Sequence, residues 1–253
     1  LLVSGERSSK LSSSPVTHAF TFTNLVLGAA REELSNAEVA TIYNKLLAVC
    51  SAHGDCEAAA KAFEQMKQDP KGLTIDVITH TSLIVAYGKA GKVDLAFDQF
   101  NTMTKKDKIE PTIVTYGALM DALSREVGRR SGNGGFKSNN KKDISYVKDA
   151  LDRVFNLRSD LQASGLQMDV RVLNCLVSAC GRAAAFEELR TDALDRAFDI
   201  VAESRRNGLF PDAITYSSLM SGCVNAGEPQ RALALYDEME TKGVARTASV
   251  YAT

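Results

Sequence analysis

The side chains able to do covalent or metal chemistry are three histidines, His18, His53 and His80, five cysteines, and scattered carboxylates. A zinc deaminase needs an HxE and a CxxC to hold its metal and place a general base. Here no histidine begins an HxE, and no CxxC occurs. An odd number of cysteines without such a pair also argues against a disulfide framework or a zinc ribbon, so a reducing compartment is expected. Residues 132–135 read GNGG, but no strand precedes them, no helix opens on them, and the chain has no GxxxxGK phosphate loop. Asp94, Asp98, Glu238 and Glu240 fall on solvated helix surfaces rather than converging. The residues therefore describe no catalytic, metal or cofactor site and no small-molecule substrate, and the chain reads as a non-enzyme.

Cys50, Cys180 and Cys223 each close an apolar stripe at i, i+3, i+4 and i+7, which makes them core residues. The stripes are Tyr43, Leu46, Leu47, Cys50; His80, Leu83, Ile84, Tyr87; Tyr116, Leu119, Met120, Leu123; Leu173, Leu176, Val177, Cys180; and Tyr216, Leu219, Met220, Cys223. That spacing lines one face of an α-helix, and His80 takes an aromatic core position in it. Each stripe is followed by a second helix with a fixed alanine, Ala59, Ala96, Ala150, Ala197 or Ala232. Four residues on comes a bulkier apolar side chain, Phe63, Phe100, Val154, Val201 or Tyr236. One such hairpin is too small to bury both of its faces, so it must stack on copies of itself. The expected fold is all-α.

Repeats start at Ala40, Val77, Ile113, Val170, Ala213 and Ala248, the last one partial, so the array covers 40–253 with spacings of 37, 36, 57, 43 and 35 residues. Two insertions disturb the period. Residues 128–143 are rich in Gly and Asn and carry Arg129, Arg130, Lys137, Lys141 and Lys142, which reads as a mobile basic loop for a partner. Phe186–Leu194 is expected to lengthen the fourth hairpin by about two helical turns, and Leu157 and Leu161 an extra turn of the third. Residues 1–17 are serine-rich and aperiodic, a disordered or targeting-derived segment. Residues 18–39 are expected to form an atypical capping helix or hairpin through Phe22, Leu25, Val26 and Ala29. A first residue that is not Met and an end in mid-repeat give the expectation of a portion of something longer. The formal charge of −1 advertises no global field for nucleic acid, so any electrostatic footprint must be local. No apolar run approaches the roughly 18 residues of a membrane span.

Units of about 35 residues reading VITHTSLIVAYGKAGKVDLAFDQFNTM, IVTYGALMDAL and AITYSSLMSGC resemble the pentatricopeptide repeat family over residues 40–253. The period and the absence of tryptophan separate them from the 34-residue tetratricopeptide unit. The resemblance implies an α-solenoid of stacked helix-turn-helix hairpins wound into a right-handed superhelix, whose first helices line a groove for single-stranded RNA. One base is then read per repeat, by the fifth residue and the last. The pairs are Asn44 with Asp76, Thr81 with Thr112, Gly117 with Asp169, Asn174 with Asp212, and Ser217 with Thr247. Asn–Asp pairs imply uridine, whereas Gly117 has no side chain to offer. Ile78, Val114 and Ile214, second in their repeats, would clamp base faces, with Thr41 and Arg171 departing from that pattern. Lys89, Arg125 and Arg182 would contact phosphates. Each assignment has a plainer counterpart: Asp76 and Asp212 stand where helix caps are favoured, and the cations where they complement a helix dipole. Function is expected to be that of an organellar adaptor, mitochondrial or chloroplast, in RNA stabilisation, processing or translation. The other reading is a scaffold subunit of a larger organellar assembly such as a ribosome.

Overall fold

The computed structural model describes residues 14–131 and 141–245, and among them there are eleven α-helices and no strand. The helices are α1 (Pro15–Ala30), α2 (Asn36–His53), α3 (Cys56–Lys67), α4 (Val77–Lys89), α5 (Val93–Asn101), α6 (Ile113–Arg130), α7 (Lys141–Ala163), α8 (Val170–Ala183), α9 (Arg190–Arg206), α10 (Ala213–Asn225) and α11 (Pro229–Thr241). The first helices α2, α4, α6, α8 and α10 pack each on the next. From α3 to α9, each second helix wedges between the first helix of its own hairpin and that of the following one. This is the stacked α-solenoid expected from the stripes. All four stripe residues are buried in α2, α6, α8 and α10, and three of four in α4. The five alanines are 0 to 9% exposed, which lets the second helices seat closely. No described helix is long and apolar enough to cross a membrane.

Helix starts follow from local chemistry. Asp76, Thr112, Asp169 and Asp212 cap α4, α6, α8 and α10, each side chain accepting from a backbone N–H in the first turn. These side chains occupy orphan donors that packing would otherwise leave unpaired. Ends are set by turns that reverse the chain five residues before the next repeat. Gly72, Gly165, Gly208 and Gly243 have φ between 61° and 79° there, and Lys108 takes the same place at φ 58°. The second helices are also tied to one another across the outer face. Arg153 lies over Phe97, Arg196 over Phe155 and Arg231 over Phe198, each guanidinium 4.0 to 5.3 Å from the ring centre.

Several expectations are corrected. α1 begins at Pro15, capped by Ser14, so a helix occupies the last residues of the segment read as disordered or targeting-derived. Its buried face is Val16, Thr23 and Leu27, whereas Phe22 and Leu25 are 66% and 68% exposed. Both sets have helical spacing, and contact with α2 decides between them. α2 starts at Asn36, one turn before the repeat boundary, on a Ser35–Glu38 capping box. Both ends of the expected 128–143 loop are helical, because α6 runs on to Arg130 and α7 begins at Lys141. Lys137 lies outside the described residues. Arg130 bonds Glu126 and Asp143 and stacks 3.9 Å over Tyr146, so it staples the two helices instead of waving in a loop. Residues 184–189 form a connector with one 3-10 turn at Glu187–Leu189, and the insertion's apolar residues Phe186 and Leu189 are buried. Glu238 is not merely solvated: it accepts from Tyr216 and pairs with Arg205 and Lys242.

Candidate nucleic-acid interface

The face left uncovered by the second helices is formed by the N-terminal turns of α4, α6, α8 and α10. Ile78, Val114 and Ile214 stand out from it with 58%, 45% and 54% of their surface exposed. Burying them would be favourable by roughly 1.5–3 kcal/mol each on general grounds, so an apolar or aromatic face is the natural occupant. Between Ile78 and Val114 lies a largely apolar hollow of about 470 Å³, floored by Ala48, Val85 and Thr81. A smaller hollow of about 250 Å³ lies between Val114 and Arg171, where Gly117 leaves space beside Cys175. Arg171 itself is held by Asp169 across 3.0 Å. Thr41 is exposed and donates to the Ala37 carbonyl of its own helix.

The reading pairs come together across the repeat boundaries. Asn174 Nδ2 donates to both oxygens of Asp212, at 3.1 and 3.2 Å, although 38 residues separate them. Asn44 and Asp76 are joined through Thr79, whose hydroxyl lies 2.9 Å from Asn44 Oδ1 and 2.7 Å from Asp76 Oδ1. Thr81 and Thr112 are joined through Thr115, at 2.8 and 3.2 Å. Thr81 is only 8% exposed, so its hydroxyl presents little to the groove. Asp169 caps α8 opposite the bare Gly117. Ser217 is described, but its partner Thr247 lies outside the described residues. The bridging threonines went unremarked in the sequence. Their signal was present there, as a Thr immediately before His80, Tyr116 and Tyr216.

Lys89, Arg125 and Arg182, with Arg129, line a cleft of about 240 Å³ toward the C-terminal ends of the first helices. Their donors are partly committed. Lys89 Nζ donates to the Ala52 carbonyl in the last turn of α2, and Arg182 Nη1 to the Ser124 carbonyl and hydroxyl in the interior of α6. Asn225 continues the series by donating to the Gly181 carbonyl. Arg125 is paired with Asp121 and Arg129 with Glu126. Burial pulls the Arg182 guanidinium below its ordinary value, with Asp121 opposing. Among the described residues no three metal-ligating side chains gather at one point. Cys175, beside the second hollow, is pushed up to about 12 by burial and the nearby carboxylates of Asp121 and Asp169, so it stays a thiol.

Comparison with known proteins bears on this geometry. A family model described as pentatricopeptide repeat domain matches residues 68–126, and the single-repeat model matches residues 41–70 and 214–244. A chloroplastic pentatricopeptide repeat-containing protein of Arabidopsis thaliana, At5g48730, is 24% identical over 64% of the chain, and a second from that plant, At3g20730, is 37% identical over 32%. The chain spans only 27% and 13% of their lengths. Among solved structures, pentatricopeptide repeat protein PPR10 in complex with an 18-nt psaJ RNA element superposes with a TM-score of 0.66 at 21% identity, over 92% of this chain and 29% of that one. The repeat domain of Arabidopsis thaliana protein-only RNase P 1, in complex with tRNA, gives 0.57 at 14%, over 86% and 95%. These likenesses are of fold.

Proposed function

The chain is a pentatricopeptide repeat protein, and on that premise we propose that it binds single-stranded RNA along the face of its first helices as a non-catalytic adaptor. Bases sit one per repeat between the clamps Ile78, Val114 and Ile214. Uridines face Asn44–Asp76 and Asn174–Asp212. Phosphates run past the cleft of Lys89, Arg125, Arg129 and Arg182. The observation that carries this reading is the Asn174–Asp212 contact: an amide held by a carboxylate beside an exposed isoleucine is a preformed hydrogen-bonding edge next to a stacking surface. The RNA bound in the two solved structures supports it. Relatives named chloroplastic and mitochondrial support an imported organellar protein acting in RNA stabilisation, processing or translation.

The test is binding of uridine-containing single-stranded RNA as a function of salt. Affinity should fall steeply as ionic strength rises, with a log–log slope of about −0.7 per phosphate neutralised. Replacing Asn44 and Asn174 together by alanine should remove the uridine preference at their two nucleotides while leaving helix content intact. Affinity at low salt no better than that of an unrelated near-neutral protein would sink the proposal.

One observation favours a second reading, a scaffold within a larger organellar assembly. Arg125, Arg129 and Arg130 all face carboxylates already, which weakens their pull on phosphate. Under that reading the purified chain is indifferent to RNA, co-purifies with a complex, and loses it when residues 132–140 are excised.

A further inference from the structure

We propose that the buried threonine third in a repeat is a positioning residue for base reading. Thr79, Thr115 and Thr215 each hold together the fifth residue of the preceding repeat and the residue that caps their own helix. The inference rests on the RNA-binding reading above and adds to it what fixes the reader's orientation.

All three threonines are fully buried, at 0% exposure, where an unbonded hydroxyl is costly. Each instead meets both members of a reading pair. The fifth repeat shows the arrangement as a closed ring. The Asp212 N–H donates to Thr215 Oγ1 at 3.2 Å, the Thr215 hydroxyl donates to Asn174 Oδ1 at 2.5 Å, and Asn174 Nδ2 donates back to the Asp212 carboxylate. The second and third repeats place Thr79 and Thr115 in the same relation to Asn44–Asp76 and Thr81–Thr112. The fourth repeat supplies the control. Its third residue is Val172, and the reader it should support is Gly117. A Cβ built on Gly117 would lie 3.8 Å from Val172 Cγ2, so the positions still touch. Where there is no side chain to orient, the hydroxyl is absent too.

The consequence for recognition comes from the symmetry of an amide. Turned over, an Asn side chain keeps its shape and exchanges its acceptor for its donors. Uracil presents N3–H as a donor between carbonyl acceptors, while cytosine presents N3 as an acceptor beside an N4 donor. Whatever fixes which way the amide faces therefore decides which pyrimidine fits. Asp212 accepts from Nδ2, and the Thr215 hydroxyl, 2.5 Å from Asn174 Oδ1 and 3.1 Å from Asp212 Oδ1, adds a donor on the side of the amide oxygen, so together they favour a single orientation.

The test uses the full chain with single-stranded RNA oligonucleotides that differ only in carrying uridine or cytidine at one nucleotide, the one whose identity ceases to matter in Asn174→Ala. In Thr215→Val the preference for uridine over cytidine should shrink by about three- to tenfold, the value of one hydrogen bond. Thr215→Ser, which restores the hydroxyl, should recover it. In the opposite direction, Gly117→Asn alone should gain little preference at its nucleotide, and Gly117→Asn with Val172→Thr should gain several-fold. A preference equal in Thr215→Val and wild type overturns the inference and leaves base reading standing. If wild type shows no preference, base reading itself falls, and the side-chain amide resonances of Asn174 then decide the inference alone. They should move and exchange faster in Thr215→Val but not in Thr215→Ser, and resonances unchanged in both overturn it.

Discussion

At the position that opens the first-helix stripe, three repeats use tyrosine and the second uses His80. The tyrosines reach their own hairpin's far end through the phenol, Tyr43 to Asp69 and Tyr216 to Glu238. His80 makes the same reach with a ring. Gln99 Nε2 lies 2.6 Å from Nδ1, the Asp107 carboxylate lies 3.2 Å from Nε2 without hydrogen-bond geometry, and Phe63 meets the ring edge-on. Burial is the largest influence and pulls the imidazole below 6.5, with Asp107 opposing it. A histidine depressed in the folded state leaves the unfolded chain to take up the proton first. Stability is then fully present above about pH 6.5 and is lost as pH falls through the folded value. Tm should therefore drop between pH 7 and pH 5, and His80→Phe should flatten that part of the profile whatever it does to Tm at pH 7. An equal slope in both proteins would exclude His80 as the cause. Asp69 poses a different problem. Its carboxylate is wholly buried and held by Arg31 of α1, by the Tyr43 phenol and by the Lys71 N–H. Arg31→Ala leaves that charge short of its partner and should cost about 2–3 kcal/mol in a urea titration. This is below the fully buried range because Arg31 is about a third exposed.

Among elements, differences of a residue or two in the second helices separate repeats that otherwise share a period. From the fixed alanine to the turn before the next repeat the chain takes 11 residues in the fifth hairpin, Ala232 to Gly243, and 12 in the second, Ala96 to Lys108. The extra residue is absorbed as a π-helical turn at Thr102–Lys106, and the closing bond runs from Ile109 N–H to the Met103 carbonyl, one residue longer than Val244 to Met239. The third hairpin takes 15, one helical turn more than the fifth, which is the turn that buries Leu157 and Leu161. Lys108 meets its turn with a left-handed backbone that costs a residue with a Cβ roughly 1–2 kcal/mol. Lys108→Gly should therefore raise stability by about 0.5–1 kcal/mol after the added entropy of the unfolded chain, seen as a higher urea midpoint at unchanged slope. Much of the fold was legible in advance, because a stripe repeated five times outvotes any single propensity. The face of α1 was not, since Phe22–Leu25 and Val16–Thr23–Leu27 fit one helix equally well and only α2 separates them. The residue pairs came from the resemblance to the repeat family alone, because a period says nothing of which side chains a ligand meets. The threonines between them do recur before His80, Tyr116 and Tyr216, but a hydroxyl there carries no sign of which neighbour it will meet.

Over the whole molecule, each hairpin is held by its neighbours alone, so stability is a sum of hairpin and interface contributions and a single weak joint divides the stack. The tightest joints lie where first helices meet without side chains between them. A Cβ on Gly181 of α8 would stand 2.7 Å from the Ser218 carbonyl of α10, and Gly222 approaches the same point from the other side. At Gly88 of α4 the obstacle is the Ala122 side chain of α6, also at 2.7 Å. An alanine Cβ is as rigidly fixed to its helix as a carbonyl is, so neither joint can yield without moving a helix. Gly181→Ala must therefore push α8 and α10 apart, at a cost of about 1–3 kcal/mol. That cost falls on one interface, so its signature is spatial. Amide exchange should quicken in α10 and α11 while α2 to α6 keep their protection, and the urea transition should broaden or split in two. Under the proposed RNA-binding reading, the contact to a nucleotide at Asn174–Asp212 should suffer, since that pair spans the same joint, while one at Asn44–Asp76 should be unaffected. Uniform loss of protection from α1 to α11 would instead mean that the stack melts as one cooperative body.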